Sequence, residues 1–283
     1  MIAALPLPYP FELGFMQRAL VAGIVVGTFG PLIGTFLVQK RMSLIGDGVG
    51  HVAFAGVGAG LFAGIYPLWT ALGFAVVGAL GVEWLRSRRR ASGDLALALF
   101  FYSGIALGVV LASARGGVGT SVLGFLFGQP LTVDDAELVL ILALGVVVAT
   151  VMLLLRRVLF AVVTDEDWSR VAGLPVAAAN GVLAVLTAVA VVAAMQVVGI
   201  LLVAALMVLP VASAQLLARS FGSTLRFAVA VGVGSVVIGL AASRIWGLAP
   251  GGTIVLVAGA TFFLIAAARH AVPGGIVTEG SDR

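Results

Sequence analysis

The stretch Ser43-Leu44-Ile45-Gly46-Asp47-Gly48-Val49-Gly50-His51-Val52-Ala53-Phe54-Ala55-Gly56-Val57-Gly58-Ala59-Gly60-Leu61-Phe62-Ala63-Gly64 decides how this chain folds. It is long and apolar enough to cross a bilayer as a helix, yet it carries a carboxylate and an imidazole four residues apart. A charged side chain near a bilayer centre costs roughly 2.5–3.5 kcal/mol on insertion scales, so such groups turn inward, pair, or line a transport path. The i, i+4 spacing stacks Asp47 and His51 on one helix face, where an oxygen and a nitrogen can converge on one ion. The pair reads as a metal-passage site. The same spacing also suits a hydrogen bond that only fixes helix packing. Asp47 is also near enough to the segment's edge to pair with Lys40 or Arg41.

Working outward, the whole chain has the same solvent preference. Its 283 residues are 61% hydrophobic and 10% charged, with a mean hydropathy of +1.21, well beyond a soluble domain. The fold class is therefore all-α and polytopic in a lipid bilayer. Apolar runs at 14–38, 43–64, 68–85, 95–112, 136–155, 176–194, 197–218, 225–245 and 253–268 each approach the roughly 20 residues a span needs. The expectation is eight to nine transmembrane helices in a single permease domain over 1–271, followed by a short polar tail over 272–283. The first run lacks a basic leader and a small-residue cleavage site, and reads as a span rather than a signal peptide. Gly23/Gly27, Gly30/Gly34, Gly56/Gly60 and Gly104/Gly108 are small-xxx-small spacings that let helices approach closely. With no cysteine, a metal must be held by nitrogen and oxygen alone.

Basic residues mark one side of the membrane. Lys40 and Arg41, Arg86 with Arg88 to Arg90, Arg156 and Arg157, Arg219 with Arg226, and Arg269 with His270 all fall together under alternate crossing. The positive-inside rule makes that side, and the carboxy terminus, cytoplasmic, with Arg115 and Arg244 as minor exceptions. The 116–135 connection faces outward and is apolar enough over 122–127 for a half-helix.

One inner loop holds a short helix. Thr164 is placed to cap it, with Asp167 three residues on, and Asp165, Glu166 and Asp167 complement the helix dipole. Gly173 followed by Pro175 stops it. Trp168, Val171 and Ala172 share a face, which would serve either a cytoplasmic partner or the lipid interface. Pro210, inside the 197–218 run, removes a backbone hydrogen bond and marks a helix break or gate. Glu83 is placed to pair with Arg86, and Gln196 and Gln215 to bond between helices.

These elements resemble a family, the permeases of ATP-binding-cassette importers for zinc and manganese. The resemblance rests on Gly30-Pro31-Leu32-Ile33-Gly34 and on Arg41 through the Gly-Asp-x-x-x-His element. Further along the chain it rests on Leu126-Phe127-Gly128, on the loop from Asp165 to Leu174, on Val198-Gly199-Ile200 running to Pro210, and on Pro250-Gly251-Gly252. It implies a homodimer in the bacterial plasma membrane, an external metal-binding lipoprotein or periplasmic binding protein, and a cytoplasmic ATPase dimer. It also implies metal contact at Asp47 and His51 and ATPase coupling through the loop from Asp165 to Gly173. The cargo is a divalent metal, zinc foremost, with manganese or iron as alternatives. No permanently bound cofactor and no nucleic acid are expected.

No G-x-x-x-x-G-K-[ST] stretch is present and the single lysine, Lys40, lies elsewhere, so the chain is expected to be a transport subunit rather than an enzyme. The alternative is a proton-coupled secondary metal transporter. It would need further ionisable groups within the bilayer, and Glu83, near the arginine cluster, is the remaining mid-chain candidate. A membrane scaffold would need neither the Asp47/His51 pair nor the capped loop.

Overall fold

The computed structural model describes residues 8–88, 93–114 and 120–271. Arg89, Arg90, Arg115, the His270 side chain and the 272–283 tail lie outside the described residues. In chain order the helices are α1 (Gly14–Gln39), α2 (Ile45–Ala63), α3 (Pro67–Ser87), α4 (Gly93–Ser113), α5 (Thr120–Phe127), α6 (Asp135–Thr164), α7 (Glu166–Val171), α8 (Val176–Val198), α9 (Ile200–Leu217), α10 (Phe221–Trp246) and α11 (Pro250–Ala271). Among the described residues nine of them are long and apolar enough to cross a membrane, all but α5 and α7. The all-α, polytopic expectation holds.

Most helix ends move by a few residues from the runs the sequence suggested, and two of the differences change how the chain is read. The fifth span runs to Thr164 instead of ending at residue 155. Arg156 and Arg157 are exposed while Leu159, Val162 and Val163 are buried on the opposite face, so the charges ride outside a continuing helix. The 197–218 run is broken at Gly199, whose φ of 88° caps α8 and opens α9. Pro210 does not interrupt α9, which passes through it unbroken.

The four glycine pairs all fall at helix crossings: Gly23 and Gly27 meet α10, Gly30 and Gly34 meet α9, Gly56 and Gly60 meet α3 and its lead-in, and Gly104 and Gly108 meet α2. A Cβ on Gly104 would stand 2.7 Å from the His51 carbonyl oxygen, so α4 lies directly against the backbone of the helix that carries His51. α2 packs against α3, α4, α8 and α9. Its apolar window is 78% buried, against 22% for α11, so the polar pair rides on the most enclosed helix.

α1 ends in a Schellman motif: the Met42 amide donates to the Leu37 carbonyl at 2.9 Å and the Arg41 amide to the Val38 carbonyl at 3.0 Å. Met42 and Leu37 are both buried, which supplies the hydrophobic contact of that motif. Its left-handed position is held by Arg41, at φ 59°, where glycine is usual. The conformation costs about 1–2 kcal/mol for a residue with a Cβ.

Candidate metal passage and coupling loop

Asp47 lies in the first turn of α2 and His51 one turn deeper. Asp47 is half-buried and lines a cleft of about 340 Å³ between α2 and α4, together with Leu44, Gly48, Leu97, Phe101 and Tyr102. His51 is buried, with its ring edge-on to Phe101 at a centroid distance of 4.3 Å. Its Nδ1 is buried and has no hydrogen-bond partner among the described residues. A buried polar atom left unpaired costs about 1–3 kcal/mol, which a ligand or a neighbouring chain would recover.

The alternatives for Asp47 are not formed. No hydrogen bond joins it to His51, and no ion pair joins it to Lys40 or Arg41, among the described residues. Lys40 instead donates to Asn180 Oδ1 at 2.7 Å and faces Glu83 at 3.7 Å, while Arg41 is exposed. No group of three or more His, Cys, Asp or Glu side chains able to hold a metal occurs among the described residues. The described residues of one chain thus place a carboxylate and an imidazole together, not a closed cage.

The loop helix is present as α7, with one correction to its cap. Asp165, not Thr164, accepts from the Trp168 amide at 2.8 Å. The Thr164 hydroxyl turns back to the Phe160 carbonyl because α6 continues through it. Gly173, at φ 77°, ends α7 as expected. Trp168 is 61% exposed and Val171 90% exposed, and Ala172 is exposed as well, so this apolar face has no partner among the described residues. Asp167 is exposed, whereas Glu166 turns inward to Arg86 at 3.3 Å.

The Glu83–Arg86 pair forms, at 2.7 Å and 2.9 Å. Gln196 does bond between helices: its Nε2 donates to Glu137 at 3.0 Å. Glu137 also accepts from the Tyr66 hydroxyl at 3.0 Å, and burial together with that carboxylate pushes Tyr66 up to about 12. This network lies at the opposite end of the bundle from Lys40 and Arg86.

Sequence reading did not single out Phe101, Asn180, Tyr66 or Glu137. Phe101, Asn180 and Tyr66 act through elements distant in the chain and sit in no local pattern, whereas Glu137 closes a capping box with Asp134 at the start of α6, an Asp-x-x-Glu signal that the sequence does carry. Three fragments read separately do meet in space. A Cβ on Gly128 would lie 2.5 Å from the Gly199 amide nitrogen, and one on Gly251 would lie 2.5 Å from the Val198 carbonyl oxygen. The Leu126-Phe127-Gly128, Val198-Gly199 and Pro250-Gly251-Gly252 elements therefore form one junction at the ends of α5, α8, α9 and α11.

Among the described residues, nine apolar helices with a polar pair on the most buried of them, and a short amphipathic helix in a connecting loop, define a multi-pass membrane protein. The chain belongs to the ABC 3 transport family, whose model matches residues 12–269. It is 33% identical over 250 residues to the manganese transport system membrane protein MntC of Halalkalibacterium halodurans, covering 88% of this chain and 86% of that one. It is 30% identical over 251 residues to the manganese import system permease protein ScaB of Streptococcus gordonii, covering 89% and 90%. The solved structure of PsaBC from Streptococcus pneumoniae in complex with Fab superposes with a TM-score of 0.81 at 28% identity, covering 90% of this chain and 91% of that chain.

Proposed function

We propose that this chain is the permease of an ATP-driven importer that passes a divalent transition metal from an external binding protein to the cytoplasm. The observation that carries the reading is the buried His51 Nδ1, without a hydrogen-bond partner among the described residues and one turn from Asp47, on the most buried helix of an ABC 3 transport fold. Two donors per chain suit a homodimer in which the second copy completes the set. Tyr102 of α4 lines the cleft at Asp47, and Leu99, Tyr102 and Val110 of the same helix are exposed and available for that contact. Few, loosely held ligands favour passage, because an ion that enters must also leave.

The sequence favoured zinc. The relatives named above are manganese transporters, which supports manganese as the cargo. A carboxylate suits manganese and an imidazole suits zinc, so the binding protein is assigned the larger share of the selection. The arginine-rich loops and α7 face the cytoplasm in this reading, with the carboxy terminus inside and a nucleotide-hydrolysing dimer docked on Trp168, Val171 and Ala172. Reconstituted vesicles holding the chain, its ATPase and its binding protein test it. Manganese uptake should require ATP and survive collapse of the proton gradient. Uptake without ATP that fails on collapse would instead make the chain a proton-coupled carrier.

A further inference from the structure

The cytoplasmic ends of four helices are tied by one continuous chain of charged groups. Asn180 of α8 accepts from Lys40 at the end of α1 at 2.7 Å, and Lys40 faces Glu83 of α3 at 3.7 Å. Glu83 takes a two-pronged bond from Arg86, at 2.7 Å and 2.9 Å, and Arg86 reaches Glu166 of α7 with two donors at 3.3 Å. Lys40 and Glu83 are nearly enclosed, with side chains 8% and 11% exposed. Charges this buried are expensive to leave unpaired, so moving one member obliges its neighbours to follow. Guanidinium forks also fix direction as well as distance.

Two further observations give the chain a direction. Among the described residues Glu166–Arg86 is the one ion pair that joins α7 to a membrane-spanning helix. Beside it lies a cleft of about 540 Å³ lined by Lys40, Arg41, Arg86, Thr164 and Glu166, space into which α7 can shift. At the other end, Lys40 directly precedes Arg41, whose left-handed backbone links α1 to α2. A strained joint of this kind persists when its surroundings hold it, and it relaxes when they let go.

We propose that the Glu166–Arg86–Glu83–Lys40 chain carries displacement of α7 to the Arg41 joint and so to α2, making Arg86 and Lys40 positioning residues for ion passage. This rests on the permease reading above. α7 moves with the ATPase bound to its exposed face, Arg86 and Glu83 shift with it, and Lys40 resets the angle at which α2 leaves α1. Asn180 anchors the far end on α8, so the movement is spent on the joint. The two donors on α2 are then presented to one side of the membrane or released to the other.

The test is the number of manganese ions delivered per ATP hydrolysed by the reconstituted complex of wild type, Arg86→Gln, Lys40→Met and the double variant. Each single change should lower that ratio about tenfold, the equivalent of one strong coupling between contacting groups. The double variant should be no worse than the poorer single, because both break one chain. Arg86→Lys keeps the charge and loses the fork, and should fall between wild type and Arg86→Gln. If Arg86→Gln does not assemble, Glu166→Gln at the more exposed end takes its place with the same expectation. Single variants coupled like wild type, or losses that multiply in the double variant, would overturn the relay alone. Wild-type uptake indifferent to ATP would remove the permease reading and the relay with it.

Discussion

His51 stands edge-on to Phe101, ring centroids 4.3 Å apart and planes inclined at 69°. An aromatic ring from α4 therefore sets the orientation of the imidazole on α2. Phe101 also lines the cleft that reaches Asp47, so one side chain touches both halves of the donor pair's surroundings.

Removing that ring should loosen the imidazole without removing it. Phe101→Ala is expected to slow ATP-driven manganese uptake by about 10–100-fold, the usual cost of losing a group that orients a metal ligand. Phe101→Leu, which keeps most of the volume, should lose far less. Initial uptake rates at fixed protein content check this, and equal rates for Phe101→Ala and wild type would show that the contact is packing only.

Trp168 offers a separate expectation. It is 61% exposed on a capped helix outside the spans, and tryptophan is enriched among the side chains that anchor protein interfaces. Trp168→Glu should weaken binding of the ATPase by about 2 kcal/mol or more, roughly 30-fold in dissociation constant. Titration of detergent-solubilised protein with the ATPase measures this directly. Unchanged affinity would place the α7 face on lipid.

Lys40 carries a pH signature. Burial lowers its ammonium from the ordinary 10.5 to about 8, opposed by Glu83 and Glu166 and assisted by Arg86, with neutral Asn180 on the remaining side. In the window between those two values the unfolded chain binds the proton that the folded chain has released. Stability from this group therefore rises with pH from about 8 to 10.5 and is level on either side. Melting temperatures of wild type and Lys40→Met across that range should diverge in favour of wild type, while ions delivered per ATP by wild type fall as Lys40 loses its charge. A melting difference that stays flat would contradict the burial of a charged Lys40.

Much of this architecture was legible in the sequence because a bilayer imposes a simple rule. Apolar runs must be helical, and a polar residue within one must have a reason. That rule located the spans, Asp47 and His51, and the loop amphipathicity exposed Trp168 and Val171. Exact ends were harder to read. Arg156 and Arg157 resemble a stop signal until their outward orientation is known, and an apolar run hides the break that Gly199 makes. The relation between Lys40 and Asn180, 140 residues apart, has no local trace at all. Nor does the meeting of Gly128, Gly199 and Gly251, although each fragment was conspicuous singly.

The most direct measurement of the central claim is ATP-driven manganese uptake by the reconstituted complex with Asp47→Asn or His51→Ala in the permease, alongside size-exclusion profiles of each assembly. Both variants should assemble intact, with uptake falling by more than the 10–100-fold typical of an outer-sphere group, because each change removes a donor itself. Assemblies that transport at the wild-type rate with either donor removed would contradict that claim.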